Sequence, residues 1–314
     1  MSLRAPGAAR RALQACCATP ALLFFLLHSA PVFPASPLPV TFSDEAAKQN
    51  SIYATRGERL PEGYVVDRSL LAYASFLSSG FDRSLAALGP GDRWLDIGAG
   101  RGYAVLDYYT ERYDAMHPKG RERRGKKAQA VAISIEDRRD ARWHEAAARL
   151  APGQIRYLSG KRLREYSSDE LGRFRLISDF TGGFSYTSQL SVFMEKVLAL
   201  LEVNGDFYTM LLDVRPENHR KEDLPRDTQL LTEVEYGDGS DFGVCAWLRS
   251  IRCAQVTCEP DTQTDRPIEL YHVHKVCEDT AVPALETRQF QAGTPPLRRF
   301  VLERDVAPRM RAVR

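Results

Sequence analysis

Apolar and polar residues follow two different periods along the chain, and these periods predict where helices and strands lie. From Asp67 to Leu88, apolar residues recur at three-to-four spacing, which predicts a helix that stops at the breaker Gly89-Pro90-Gly91. The short run "RWLDI", Arg93 to Ile97, predicts a strand. A glycine turn follows it, and a helix is expected from about Tyr103 to Tyr113.

Strand and helix patterns then repeat. Further strands are predicted at "QAVAISI", "QIRYLSG", "FRLISDF" and "DFYTMLL", and the helices between them at "EDRRDARWHEAAARL" and "SQLSVFMEKVLALLEVNG", the second closed by Gly205. Strands that alternate with helices pair in parallel through right-handed crossovers.

The C-terminal third departs from this alternation. "CAQVTCE" and "PIELYHVHKV" read as two strands joined only by Pro260 to Arg266, which is too short for a crossover helix. These strands should therefore be antiparallel. The whole pattern predicts an α/β fold: a Rossmann-like doubly wound, mostly parallel sheet with a C-terminal antiparallel hairpin.

Four segments are expected along the chain: a leader over 1–40, an N-terminal arm over 41–66, the α/β domain over 67–280 and a C-terminal extension over 281–314. In the leader, arginines precede the apolar stretch "ALLFFLL" and no acid occurs before Asp44, which is typical of a secretory or transit signal. The stretch is too short to span a bilayer, and no clean small-x-small cleavage site follows it. We therefore favour a cytoplasmic location, with export or an organelle as the alternative.

Charge and cysteine content limit the function classes. Lys and Arg number 43 against 41 Asp and Glu, so nothing in the overall balance indicates nucleic acid, and a small molecule is the expected partner. Cys245, Cys253, Cys258 and Cys277 contain no CxxC pair. Buried free thiols are the favoured interpretation, and a disulfide such as Cys258 to Cys277 would require export.

The turn in "RWLDIGAGRGYAV" is where chemistry is expected. Ligands of parallel sheets bind beyond the carboxyl ends of the strands, and Gly98, Gly100 and Gly102 would let the backbone approach one closely. A dinucleotide site has the spacing GxGxxG, whereas here the third glycine comes one residue early and Tyr103 takes its place. Asp96 adds a fixed carboxylate, which suits a cationic ligand better than a pyrophosphate.

"LDIGAGRG" resembles the first motif of the class I S-adenosylmethionine-dependent methyltransferases, and the resemblance extends from about Asp67 to about Val276. It implies S-adenosylmethionine as cofactor. The residues that it implies for cofactor binding are Asp96, Gly98, Ala99, Gly100, Gly102, Ser134, Glu136 and Asp179.

Two positions depart from the family pattern. Ser134 stands where the family has an acid for the ribose hydroxyls, with Glu136 as the nearest replacement, and Lys161 stands where the family often has an aspartate for the adenine amino group. The resemblance implies a methyltransferase acting on an unidentified acceptor, for which we expect a small molecule. The alternative is a non-catalytic binding or regulatory protein of the same fold with an altered cofactor site.

Methyl transfer from a sulfonium needs alignment and exclusion of water more than acid or base groups. Asp179, at the end of the fourth strand, is the candidate for orienting or deprotonating an acceptor, and Tyr186 is a second catalytic candidate. His272 and His274 alternate on one strand and would share a face. No third ligand is spaced to join them, so the sequence predicts sheet-surface histidines and no metal site.

Overall fold

The computed structural model describes residues 68–78, 80–110, 126–225, 227–261 and 266–302. The predicted arm at 41–66 and the leader lie outside these residues. The helices are α1 Leu70–Phe76, α2 Gly80–Ala87, α3 Tyr103–Asp107, α4 Ala141–Ala147, α5 Ser168–Leu171, α6 Gly183–Tyr186, α7 Leu190–Leu200 and α8 Val244–Arg249, with 3-10 turns at Leu163–Glu165 and Lys221–Asp223. The strands are β1 Arg93–Ile97, β2 Gln129–Ser134, β3 Ile155–Ser159, β4 Phe174–Asp179, β5 Leu201–Leu212, β6 Thr232–Glu235, β7 Ala254–Pro260, β8 Ile268–Lys275, β9 Leu285–Gln291 and β10 Leu297–Leu302.

Seven strands form the central sheet in the order β3-β2-β1-β4-β5-β8-β7. The first five are parallel neighbours, and β8 runs antiparallel between β5 and β7. This arrangement confirms the Rossmann-like doubly wound sheet and its antiparallel hairpin. The carboxyl ends of β1, β2 and β4 consequently meet at one edge, where the glycine turn begins.

Both faces of the sheet are covered by apolar layers. On one face, Tyr73, Phe81 and Trp94 pack in a fully buried cluster with α1, α2 and α3. On the other face, α7 contributes side chains at three-to-four spacing, including Met194 and Val197, which are 0% exposed. Burying each such side chain stabilises the fold by about 1.5–3 kcal/mol.

The single helix expected from Asp67 to Leu88 is wrong in detail, because the chain breaks into α1 and α2. Leu77 is extended, and its N–H donates to the carbonyl of Tyr73 at the end of α1. A Cβ on Gly80 would lie 2.7 Å from the hydroxyl oxygen of Tyr208. The second helix therefore starts at a glycine because its first turn lies directly against an aromatic side chain of β5.

The helix expected to reach Gly205 ends earlier, at Leu200. Leu201 pairs with Phe174 of β4 and so begins β5. Lys275, whose side chain is 1% exposed, donates from Nζ to the carbonyls of Leu198 and Leu201 at 3.0 and 2.9 Å. A buried cation at the negative end of a helix stabilises that end, so the tertiary contact sets the boundary.

A second sheet, in the order β6-β10-β9, was not predicted. β10 runs parallel to β6 and antiparallel to β9, so residues expected only as an extension contribute two strands. Arg298 of β10 is fully buried and donates to the carbonyls of Phe184 and Thr187 at 2.8 and 2.9 Å. It also donates to the hydroxyl of Thr232 at 2.7 Å. The predicted domain boundary at residue 280 stays a prediction.

The cysteines form two disulfides, Cys245–Cys258 and Cys253–Cys277, so the expectation of free thiols is wrong. The Cys258 to Cys277 pairing is wrong as well. An antiparallel hairpin places the start of β7 beside the end of β8, and the N–H of Val276 donates to the carbonyl of Cys253 at 2.9 Å. Cys258 lies five residues further along the strand, roughly 17 Å away, where it meets α8.

Within the described part of the chain, no helix combines the length and apolar character that crossing a membrane requires.

Candidate functional site

The turn after β1 is built on positive backbone angles. Gly98, Gly100 and Gly102 have φ of +72°, +56° and +74°, a region that favours glycine. A Cβ on Gly98 would lie 2.5 Å from Cα of Gly182, so the turn packs directly on the loop after β4. The first glycine therefore serves a backbone-to-backbone contact.

The third glycine serves packing against aromatic side chains. A Cβ on Gly102 would lie 2.9 Å from Nε1 of Trp143 and 3.1 Å from the ring of Tyr157. The Tyr157 hydroxyl also donates to the carbonyl of Gly100. Aromatic residues of α4 and β3 thus hold the turn in place from outside.

A cleft opens in front of this turn, at the carboxyl edge of the sheet, and encloses about 1200 Å³ that includes space open to solvent. It is bordered by the turn, the end of β2, the segment after β3, α6 with the loop that precedes it, and one face of α7. The described lining residues are Arg68, Ile97, Gly98, Ala99, Gly100, Ile133, Ser134, Ile135, Lys161, Arg162, Leu163, Arg164, Thr181, Gly182, Gly183, Tyr186, Thr187, Gln189, Val192, Phe193 and Lys196. The cleft lies where ligands of parallel sheets bind.

The charge of the cleft is one-sided. Among its described lining residues there is no Asp or Glu, whereas five are cationic: Arg68, Lys161, Arg162, Arg164 and Lys196. Lys161 forms an ion pair with Glu170 at 2.8 Å, and Nη1 of Arg164 donates to Gln189 at 3.0 Å. Burial lowers the pKa of Lys196, because water is partly excluded around its ammonium group. An anionic ligand would therefore be favoured here.

Two carboxyl groups lie behind the cleft wall. Asp96 is 0% exposed, and its two oxygens accept hydrogen bonds from Ser178 at 2.7 Å and from Tyr73 at 2.9 Å. Asp179 is equally buried and accepts from the backbone N–H groups of Gly182 and Phe184 at 2.7 and 2.9 Å. Burial raises the pKa of each to about 7, although these hydrogen bonds act in the opposite direction.

The structure brings together some of the predicted site residues. Those that line the cleft are Gly98, Ala99, Gly100, Ser134 and Tyr186. Those that lie outside its lining are Asp96, Gly102, Glu136 and Asp179. Glu136 forms an ion pair with Arg138, Asp96 accepts from Ser178 of β4, and Asp179 accepts from the loop after β4. Gly102 lies in the turn itself. Their assigned roles stay predictions.

The sequence analysis missed the cationic side of the cleft. Lys161, Arg162 and Arg164 lie in one short segment, "KRLR", directly after β3. A run of cations at the carboxyl end of a parallel strand was the available signal. Arg68, just before α1, and Lys196, on α7, line the same cleft. No local sequence pattern connects these two positions with that segment.

The sheet order, its antiparallel β8 and the cleft at the carboxyl edge define a Rossmann-like fold of the class I methyltransferase type. No protein-family profile and no curated protein matches the chain. Solved structures with a similar fold include a Burkholderia thailandensis 1,6-didemethyltoxoflavin-N1-methyltransferase, at 14% identity and a TM-score of 0.45, over 77% of this chain and 95% of that one.

A second similar structure is the N-methyltransferase NodS from Bradyrhizobium japonicum WM9 with S-adenosylhomocysteine, at 10% identity and a TM-score of 0.41, over 73% of this chain and 98% of that one. A third is the plantazolicin methyltransferase BpumL, at 12% identity and a TM-score of 0.43, over 74% of this chain and 95% of that one. Because the identities and TM-scores are this low, function has to be argued from the cleft itself.

Proposed function

We propose that the protein is an S-adenosylmethionine-dependent methyltransferase whose acceptor is a small anionic molecule. The observation that carries this proposal is the cleft. It joins an open glycine turn at the end of β1 to a lining with five cations and, among the described lining residues, no acid. The turn is where the resembled family holds its cofactor, and the cations favour a carboxylate- or phosphate-bearing partner.

The backbone of the cleft fits a nucleoside cofactor. Gly98 and Gly100 leave no Cβ on the cleft wall, while Ile133, Ile135 and Leu163 supply apolar surface for a base. Ser134 occupies the sequence position at which the resembled family has its ribose-binding acid. Its hydroxyl would therefore be the group that contacts the ribose. The cofactor would supply a methyl group on a sulfonium, already activated toward attack.

The remaining steps belong to side chains of this chain. Tyr186 lines the cleft next to Thr187 and Gly183, so it is positioned to contact an acceptor and exclude water from it. Arg164 and Lys196 would hold the acceptor's negative charge. Asp179 is assigned a positioning role, because its carboxylate organises the backbone of the loop that carries Gly182 and Phe184.

The test is isothermal titration of the full-length chain with S-adenosylmethionine and with S-adenosylhomocysteine. Micromolar binding of both is expected. The variant Ser134→Asp restores the carboxylate of the resembled family and should tighten binding, whereas Ser159→Asp adds the same charge at the exposed end of β3 and should leave it unchanged. Absence of heat with both ligands in every variant would overturn the proposal.

The anionic acceptor is tested separately, by thermal shift with inorganic phosphate, pyrophosphate and citrate. The double variant Arg164→Gln/Lys196→Gln should lose any stabilisation by these anions. Lys127→Gln removes one charge outside the cleft lining and should retain it. Equal response of all three proteins would contradict an anion-selective cleft.

A second candidate is a binding protein of the same fold that does not turn over a methyl donor. Two observations favour it: the absence of an acid among the described lining residues, and the two disulfides, which are typical of oxidising compartments. S-adenosylmethionine is kept inside cells, so an exported chain would meet other ligands. Anion binding without any response to S-adenosylmethionine would identify this case.

The two candidate functions also imply different locations for the protein. The methyltransferase proposal goes with the cytoplasm, and the binding-protein candidate goes with export. Mass spectrometry of the protein isolated from its native cells under alkylating, non-reducing conditions would count the free thiols. Four alkylated cysteines among Cys245, Cys253, Cys258 and Cys277 would favour the cytoplasm, and none would favour export.

A further inference from the structure

We infer that Asp206, His272 and His274 form a binding site for a divalent transition metal, with Zn²⁺ as the best-matched ion. These three side chains are called the Asp-His cluster below. Oδ1 of Asp206 lies 2.8 Å from Nε2 of His272 and 2.8 Å from Nδ1 of His274. One ligating atom from each residue lies within 4.8 Å of the other two. The cluster is separate from the cleft and does not depend on the proposed function.

Strand register assembles the cluster. In the antiparallel pair of β5 and β8, Asp206 lies opposite His274 and Tyr208 lies opposite His272. Residues that are two apart on a strand point to the same face, so both imidazoles and the carboxylate project on the side of the sheet that α2 covers. Asp206 is thus the third ligand that the sequence spacing did not reveal.

Neighbouring groups hold the ligands in orientation. The ring of Tyr208 stacks on the ring of His272 with centroids 4.4 Å apart and an interplanar angle of 3°. Ser84 of α2 donates to Oδ2 of Asp206 at 2.9 Å, and its Oγ lies 2.9 Å from the hydroxyl oxygen of Tyr208. Outer contacts of this kind fix ring orientation and carboxylate geometry in metal sites.

The three ligands form a donor set that suits a transition metal. Two imidazoles and one carboxylate are a ligand set that suits Zn²⁺, with a fourth position left for water.

The two carboxylate-to-imidazole distances are close to those that a metal needs. Tetrahedral Zn²⁺ at ~2.0 Å from each ligand separates the ligand atoms by ~3.3 Å, so these two distances have to lengthen by about half an ångström. The side chains are 25%, 30% and 16% exposed for His272, His274 and Asp206, so an ion has access. A cavity bordered by Arg83, Ser84 and Asp206 adjoins the cluster and leaves room for water.

The first experiment is titration of the full-length protein, free of any affinity tag, with Zn²⁺ and with Co²⁺. One equivalent of each metal should bind, and Co²⁺ should produce the visible absorption of a low-coordinate site. The variants Asp206→Asn, His272→Gln and His274→Gln should each weaken Zn²⁺ binding by about tenfold or more. His144→Gln removes an exposed imidazole on α4 and should bind as the parent protein does.

A second measurement covers the case in which a variant fails to fold. Nitrogen-15 spectra of the histidines in the parent protein report on each imidazole directly. Zn²⁺ should shift the Nε2 signal of His272 and the Nδ1 signal of His274, because the nitrogens that now donate to Asp206 become ligands. The inference is overturned if the parent protein binds no metal, or if binding is the same in the His272→Gln/His274→Gln double variant.

Discussion

The cleft and the Asp-His cluster use aspartate in opposite ways. Asp96, behind the cleft, is 0% exposed and accepts hydrogen bonds from the hydroxyl groups of Tyr73 and Ser178, and burial raises its pKa to about 7. Asp206 is less buried and accepts from two imidazoles and a serine, and its pKa falls to about 2. The difference teaches that the depth of burial, together with the donors around a carboxylate, decides which charge state the fold stabilises.

The two regions also differ in how they are joined to the rest of the fold. The cleft loop carrying Phe184 and Thr187 is held by Arg298 of the second sheet, whereas the far edge of the central sheet is held by covalent links. The cleft therefore depends on buried polar contacts, and the edge at β7 depends on disulfides.

Replacing Arg298 with Met should produce the largest effect. The substitution leaves two buried carbonyls and the Thr232 hydroxyl without their donor, so we expect the free energy of unfolding to fall by about 3–5 kcal/mol. Urea unfolding measures this loss. Arg288→Met is the matched control, since Arg288 is 50% exposed and lies 3.8 Å from its partner, and it should cost about 1 kcal/mol or less.

Removing a disulfide tests the other region. Cys245→Ser/Cys258→Ser opens a link between residues 13 apart, and we expect a loss of about 3 kcal/mol in the free energy of unfolding. Because this edge lies away from the cleft, ligand affinity there should be unchanged. A parallel loss of affinity in titration would contradict the independence of the two regions.

Two glycine substitutions, one before β1 and one in the turn after β1, separate the cost of backbone conformation from the cost of a close contact. Gly91→Ala places a Cβ at φ +93° with nothing within 4 Å, so it should cost about 1 kcal/mol. Gly98→Ala, at φ +72°, adds an overlap at 2.5 Å with Gly182 and should cost about 2 kcal/mol or more. Equal losses in the free energy of unfolding for the two variants would show that the loop after β4 moves to accommodate the new Cβ at no energetic cost.

The pKa values of Asp96 and Asp206 shift in opposite directions, so these two residues should make stability depend on pH in opposite ways. The unfolded carboxyl titrates near 3.8, so between about 4 and about 7 folded Asp96 keeps a proton that the unfolded chain releases, and its contribution to stability falls as pH rises. Asp206 contributes stability above about 3.8 that is lost as pH falls toward about 2. Asp96→Asn should make the fall of the urea midpoint between pH 4 and 7 less steep, with the contribution of Asp179 remaining, and Asp206→Asn should reduce the loss of the midpoint only below pH 4. An unchanged slope in both variants would refute the comparison.

The sequence by itself determined the alternation of strands and helices, the antiparallel hairpin and the glycine turn. These follow from local rules: apolar periodicity, the length of a connection and the backbone freedom of Gly98, Gly100 and Gly102. Such rules act over about a dozen residues, so they can be applied to the sequence without knowledge of the fold. The resemblance to the class I methyltransferases, and not these rules, supplied Ser134, which lies on the cleft wall with Gly98, Ala99, Gly100 and Tyr186.

Tertiary structure alone decided the rest. The end of α7 was set by Lys275, the second sheet by pairing of β10 with the distant β6, and the Cys253–Cys277 disulfide by the register of β7 on β8. Asp206 meets His272 across 66 positions of sequence, and Arg68 and Lys196 line the same cleft. Contacts of this range depend on which strands become neighbours, and burial and hydrogen bonding select those neighbours only when the whole chain packs together.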